Sequence, residues 1–184
     1  MKKPAGIFLD RDGLINIPPP IEQRYICHPS EFHLMPGIAE SIRQFNLQHI
    51  PVAVVTNQKG VAIGSVSEST LADIHKHMLF LLEKEHASIQ HIQYCPHQES
   101  DRCSCRKPLP GMIFSAAHAL KIDPSACWMI GDQFRDLEAG RAAGCSTLLV
   151  GPESPPAGLA DHHIQKTEDL PAWIQENFSF QTER

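Results

Sequence analysis

The stretch Gly6-Ile7-Phe8-Leu9-Asp10-Arg11-Asp12-Gly13-Leu14-Ile15-Asn16 constrains this chain more than any other, because an apolar run stops abruptly at two carboxylates. A short run closed by charge and glycine fits a buried strand whose C-terminal end opens into a loop, with Gly13 allowing a sharp turn. In extended backbone, residues two apart share a side, so Asp10 and Asp12 are expected to reach one bound group while Arg11 points away. Two carboxylates allow two jobs. One is a nucleophile with its charge held by a metal; the other is a general acid and base set against a leaving oxygen. Alone, the pattern fits an acidic surface turn after an edge strand equally well.

The same construction recurs down the chain. Val52, Ala53, Val54 and Val55 form a β-branched run ending in Thr56, Asn57 and Gln58, where a hydroxyl and loop N–H groups suit a phosphate oxygen. Residues 89–94 predict a third strand, and Trp128, Met129 and Ile130 a fourth that ends in Gly131 and Asp132. Asp136 follows on the next helix, so both carboxylates belong at its beginning. Thr147 to Val150 predicts a fifth strand, and a short segment and a final helix near Trp173 close the chain. Between these runs lie helical spacings: Ile38, Ile42 and Phe45; Leu71, Ile74, Met78 and Leu82 after the N-cap Ser67; and Met112, Phe114, Ala117 and Leu120. Alternating strands and helices predict a Rossmann-like parallel α/β sheet flanked by helices, with ligands bound outside the carboxyl ends of the strands.

Two loops stand out. Pro18, Pro19 and Pro20 cannot lie inside a helix or central strand, so residues 17–35 form a long loop of the kind used as a lid or substrate-binding segment. Residues 95–105 hold Cys95, His97, Cys103 and Cys105, which can offer three thiolates and one imidazole to a tetrahedral zinc ion in a structural role. Arg106 and Lys107 follow at once, so a rigid loop can aim Lys107 at the Asp10 site, where its ammonium neutralises a phosphoryl group. Cys27, Cys127 and Cys145 lack clustered partners and read as core or incidental residues, and His75, His77 and His86 as solvated or packed.

With 184 residues and 42% hydrophobic content, a single domain over 1–184 is expected. The formal charge of −5 carries no basic footprint, so nucleic acid is not an expected partner. The apolar run after Lys2 and Lys3 is interrupted at Asp10, and nothing has membrane length, so no membrane partner is expected and a cytoplasmic protein is. In that compartment the six cysteines are reduced.

The ordered set Asp10-Arg11-Asp12-Gly13, Thr56-Asn57, Lys107 and Gly131-Asp132 with Asp136 resembles the haloacid-dehalogenase superfamily of phosphohydrolases over nearly the whole chain. Its Cys-Pro-His and Cys-x-Cys-Arg-Lys-Pro pattern is similar to the D-glycero-D-manno-heptose 1,7-bisphosphate phosphatases and the allied histidinol phosphatases. The resemblance implies that Asp10 attacks phosphorus to form an aspartyl-phosphate, and that Asp12 protonates the leaving oxygen and then activates water. It implies Mg²⁺ held by the Asp10 carboxylate, the Asp12 main-chain carbonyl and Asp132, with Asp136 holding Lys107 or a metal-bound water. Thr56 and Lys107 would bind the transferring group, and Asn57 and Arg106 the substrate. No large cap domain fits between the motifs, and a monomer acting on a small phosphorylated metabolite in carbohydrate or lipopolysaccharide metabolism is implied. Leu14, Ile63 and the proline loop depart from the family's pattern, and these departures bear on the sugar rather than on the chemistry. A non-catalytic phospho-ligand module and a nucleic-acid end-processing enzyme are the competing functions; retention of both aspartates weighs against the first, and the acidic charge against the second.

Overall fold

The structure, a computed structural model, describes residues 1–178. Strands β1 (Gly6–Leu9), β2 (Val52–Asn57), β3 (His91–Cys95), β4 (Cys127–Gly131), β5 (Ser146–Val150) and β6 (His162–Ile164) alternate with helices for most of the chain. The helices are α1 (Ile38–Leu47), α2 (Glu68–Lys84), α3 (Gly111–Leu120), α4 (Phe134–Ala143) and α5 (Leu170–Asn177). The strands form one sheet in the order β3-β2-β1-β4-β5-β6, with every neighbouring pair parallel. The chain order reverses at β1, which lies between β2 and β4, so the crevice outside their C-terminal ends is the natural ligand position.

Side-chain alternation sorts the core into two layers. Ile7 and Leu9 of β1, Val52 and Val54 of β2 and Ile130 of β4 pack with Phe45 of α1, Ile74 and Met78 of α2 and Trp173 of α5. Phe8, Ala53, Val55 and Met129 face the other way, onto Met112 and Ile113 of α3 and Ala139 of α4. Burying a side chain the size of Phe8 or Phe45 stabilises by about 1.5–3 kcal/mol, several times the few tenths that separate most helix propensities. The apolar stripes therefore decide where the helices lie. Ser67 caps α2 by accepting from Thr70 N at 3.0 Å, and Trp173 docks α5 by meeting Trp128 edge to face at 5.5 Å.

The connections leaving β1, β2 and β3 hold no additional folded domain among the described residues. β3 runs one residue past its expected end, which puts Cys95 on the strand itself. The short segment expected before the last helix is a sixth strand, β6. The loop over residues 17–35 is pinned at its base, where Ile17 N donates to His33 O at 2.9 Å and Met35 N to Ile15 O at 2.9 Å. Ile26 and Phe32 are buried in the layer that holds α1 and α2, while Ile21 at the tip is 88% exposed. Cys127 and Cys145 are buried in the other layer and Cys27 is exposed, as expected of residues without clustered partners.

Candidate active site

Four ionisable groups meet where β1 and β4 end. Asp10 continues the ladder by donating its N–H to Ile130 O at 3.1 Å, and its side chain is buried. The buried Lys107 ammonium lies 2.7 Å from Asp10 Oδ1 and 2.7 Å from Asp136 Oδ1. Asp132 completes the group, with carboxylate oxygens of Asp10, Asp132 and Asp136 all within 4.8 Å of one another. The start of α4 fixes the last of these, because Asp136 Oδ2 accepts from Gln133 N at 3.0 Å in a capping box. Gly131 and Gly13 make the crowding feasible. A Cβ on Gly131 would collide with the Asp136 side chain, and one on Gly13 with the Asp132 carboxylate; Gly13 moreover sits at φ +93°, as expected of a sharp turn there.

Three carboxylates against one ammonium leave two negative charges unbalanced in a buried pocket. Burial, with Asp136's charge adding and Lys107 opposing, pushes the Asp10 carboxyl up to about 7. Burial also pushes Asp132 up to about 6, against a hydrogen bond from Gln133 and with the charge of Asp136. Lys107 stays protonated: burial pulls it down, but the charges of Asp10 and Asp136 outweigh that and raise it. Asp132 Oδ1 is buried without a hydrogen-bond partner among the described residues. An orphaned carboxylate oxygen beside an excess of hard oxygen ligands suits a divalent cation such as Mg²⁺.

Asp12 has a different setting. The chain leaves extended geometry after Leu9, so alternation does not carry through Arg11, and its guanidinium does not point away as expected. It folds against Asp12, with Nη2 2.9 Å from both carboxylate oxygens and Nε 3.2 Å from Oδ1. Gln58 Nε2 donates to Asp12 Oδ2 at 2.8 Å and Asn16 Nδ2 to Oδ1 at 3.1 Å. Burial works against the Asp12 carboxylate, but the Arg11 charge and these bonds prevail and hold its acidity below the usual value. Both aspartates still line one cleft of about 640 Å³, together with Thr56, Asn57, Lys107 and Asp132.

Behind Asp12 lies a layer that the motifs do not announce. Gln58 Nε2 also donates to Thr56 Oγ1 at 2.9 Å, and Arg11 reaches Gln58 Oε1 and His75 Nε2 at 3.2 Å each. His75, expected to be solvated or packed, is packed. The one sequence signal for Gln58 is its separation of two from Thr56 at a strand end. Asn57, expected at the substrate, lines the cleft and also holds the backbone of Lys107 with its amide. Arg106 lines the cleft, where it donates to His97 O at 3.2 Å and meets Glu99 at 2.7 Å; Glu99 also meets Lys59 at 2.8 Å. Leu14 is buried in the core and Ile63 is half exposed.

Cys95, His97, Cys103 and Cys105 converge as their spacing suggests. Cys105 Sγ lies 3.1 Å from Cys95 Sγ and 3.5 Å from Cys103 Sγ, Cys95 and Cys103 are 3.6 Å apart, and His97 Nδ1 is 3.5 Å from Cys95 and 3.3 Å from Cys105. Ligands about 2.3 Å from a tetrahedral centre stand roughly 3.7 Å apart, so the cluster fits a zinc ion with slight expansion.

The HAD-hydrolase-like family model matches residues 104–177. A crystal structure of D,D-heptose 1,7-bisphosphate phosphatase from B. bronchiseptica, complexed with magnesium and phosphate, is similar at a TM-score of 0.82 and 29% identity, over 93% of this chain and 98% of that one. A parallel sheet of this order with its carboxylates at the ends of β1 and β4 thus defines an enzyme, a phosphatase of the haloacid-dehalogenase class. The D-glycero-beta-D-manno-heptose-1,7-bisphosphate 7-phosphatase of Salmonella typhi is 32% identical over 186 residues, covering 95% of this chain and 97% of its own. That of Pseudomonas putida is 38% identical over 144 residues, 78% of this chain and 81% of its own. The chain belongs to the family of D-glycero-beta-D-manno-heptose-1,7-bisphosphate 7-phosphatases.

Proposed function

We propose that this enzyme removes the 7-phosphate of D-glycero-β-D-manno-heptose 1,7-bisphosphate through an aspartyl-phosphate on Asp10. The observation that carries the chemistry is the buried Lys107 ammonium, 2.7 Å from both Asp10 and Asp136 in the cleft that Asp12 and Thr56 also line. A cation placed there lets a carboxylate nucleophile and a phosphate dianion approach each other. Names borne by relatives of 32% and 38% identity support the β-heptose, and they do not favour histidinol phosphate.

In this mechanism an Asp10 oxygen forms a bond to phosphorus as the bond to the sugar oxygen breaks, and Asp12 gives its proton to that oxygen. Asp12 then takes a proton from water as the water oxygen attacks phosphorus, which releases phosphate and frees Asp10. The arginine and amide contacts suit Asp12 to the second step, in which it must start ionised. A phosphoryl dianion beside it opposes that lowering and favours the protonated form needed first. Thr56 and Lys107 bind the transferring group, and Arg106 contacts the substrate beyond it. Asp10, the Asp12 carbonyl and Asp132 would hold Mg²⁺, which would supply positive charge at the phosphoryl oxygens when bound. Asp136 keeps Lys107 in place. Cys95, His97, Cys103 and Cys105 would hold a zinc ion that fixes the loop leading to Lys107, the 17–35 loop serves as lid, and three thiolate ligands suit the reducing cytoplasm.

Initial rates with Mg²⁺ test the reading on a panel of α- and β-heptose 1,7-bisphosphate, histidinol phosphate and an aryl phosphate. A preference for the β-heptose of a hundredfold or more in kcat/KM is expected, which is about 2.7 kcal/mol of differential transition-state binding. Equal rates on the two anomers, or a preference for histidinol phosphate, would overturn the substrate.

A further inference from the structure

We propose that His75 is a positioning residue for the acid–base step, acting through Arg11 on the Asp12 carboxylate. The inference rests on the role given to Asp12 above.

A guanidinium has five N–H donors and no acceptor. Arg11 is only 2% exposed, so its donors need partners within the protein. Nε and Nη2 are used on Asp12, and Nη2 also reaches Gln58 Oε1 at 3.2 Å. Nη1 faces His75 Nε2 at 3.2 Å. Since Arg11 can only donate, His75 Nε2 must present its lone pair, which places the ring proton on Nδ1. Burial and the adjacent Arg11 charge push His75 down to about 4, in keeping with a neutral ring that accepts.

His75 is well placed to hold that geometry. It sits on α2 between Ile74, which is fully buried, and a helix stripe continued by Met78 and Leu82 in the core. Its ring lies 6.0 Å from the ring of Tyr94 on β3. A helix anchored by its apolar face thus sets one end of the guanidinium and Gln58 sets another, and the planar fork transmits both to Asp12. Without the acceptor at His75, one buried N–H of Arg11 loses its partner, and the plane of the guanidinium is no longer determined from that side. Asp12 must alternate between giving and taking a proton within hydrogen-bond reach of two different oxygens, so its orientation enters both half-reactions.

The test compares His75→Leu, which fills space without an acceptor, with His75→Gln, whose Oε1 reaches the position of Nε2. On the sugar bisphosphate His75→Leu should lower kcat by roughly tenfold to a hundredfold, part of what a general acid–base contributes, with KM within about twofold. With p-nitrophenyl phosphate, whose leaving group needs little protonation, it should show a burst of about one nitrophenolate per enzyme followed by slow turnover, because water activation is then limiting. His75→Gln should restore both. A His75→Leu enzyme with unchanged kcat, or a kcat loss that His75→Gln does not repair, would overturn the proposal. Should His75→Leu fail to fold, His75→Asn replaces it, since its shorter amide cannot reach Arg11; equal kcat for the Asn and Gln variants would overturn the proposal as well. Asp12→Asn separates the two readings: if it turns over the bisphosphate at the parent rate, the role of Asp12 falls, whereas an inactive Asp12→Asn beside a fully active His75→Leu refutes only the role of His75.

Discussion

Asn57 grips Lys107 by its backbone: Asn57 Nδ2 donates to Lys107 O at 3.0 Å, and Lys107 N donates to Asn57 Oδ1 at 3.0 Å. A residue at the end of β2 thereby sets the height at which a lysine fifty positions later enters the cleft. The main chain on either side of Lys107 is closed into a turn, in which Leu109 N donates to Arg106 O at 2.9 Å, and the Arg106 side chain donates to His97 O.

Asn57→Ala should therefore weaken catalysis without touching substrate. Two hydrogen bonds of about 1 kcal/mol each are lost, so a fall in kcat of about tenfold and a lower thermal midpoint are expected, with KM nearly constant. Asn57→Asp keeps the acceptor but turns the donor into a charge facing Lys107 O, and it should do no better than Ala. Steady-state kinetics with parallel thermal melts distinguish these outcomes; a rise in KM with kcat unchanged would place Asn57 at the substrate instead.

Stability without divalent cations should depend on pH with a definite sign. Asp10 and Asp132 are pushed up to about 7 and about 6 in the folded protein, above the ordinary carboxylate value of about 3.9. Between those values the two carboxyls make the folded state bind more protons than the unfolded one; His75, pushed down from 6.5 to about 4, opposes them in part but is one group against two, so stability falls as pH rises through that window and levels off above it. The thermal midpoint in chelator should drop from about pH 5 to about pH 7.5. Asp10→Asn should flatten part of that slope and melt higher than the parent at the upper end, while abolishing turnover. Added Mg²⁺ should raise the parent's midpoint most at the upper end, where the carboxylates are ionised. A midpoint that rises with pH in chelator would contradict the charge excess.

The thiolate cluster is expected to retain about one equivalent of zinc through dialysis. Replacing Cys103 and Cys105 by Ser should release the metal, lower the thermal midpoint and reduce kcat, because Lys107 lies two residues beyond Cys105. Metal analysis alongside melts checks this, and full stability with all four ligands removed would refute a structural role.

Gly13→Ala should injure the metal site more than the fold. The substitution costs about 1 kcal/mol in backbone terms at φ +93°, and its methyl group is driven into the Asp132 carboxylate. The Mg²⁺ concentration for half-maximal rate should rise by about tenfold, equivalent to about 1.4 kcal/mol. A Mg²⁺ titration of initial rates decides it.

The ends of β1, β2 and β4 are legible from sequence because each is an apolar run cut off by a polar residue, and burial in a parallel sheet demands such runs. Asp10, Thr56 and Asp132 come together on that basis alone. The Cys/His cluster is legible because its ligands lie within eleven residues of one another. Arg11 misleads, since side-chain alternation holds only as far as Leu9, where the strand ends. Gln58 and His75 escape for another reason. Their partnership with Arg11 spans 47 and 64 positions and depends on side-chain reach, which leaves no period in the sequence. β6 has three half-buried residues and no apolar run, so its pairing with β5 is decided by tertiary packing.

The pinned base of the 17–35 loop separates two kinds of change. Its stem is stitched to Ile15 and Ile17, and Asn16 between them bonds to Asp12, so the stem is inherited together with the carboxylate proposed as acid and base. Beyond the stitches, Pro18, Pro19, Ile21, Arg24 and Tyr25 line the cleft. If the tip selects the sugar as proposed, it is an exchangeable part: swapping it between members of the family is expected to change which sugar is accepted while leaving the reaction centre in register.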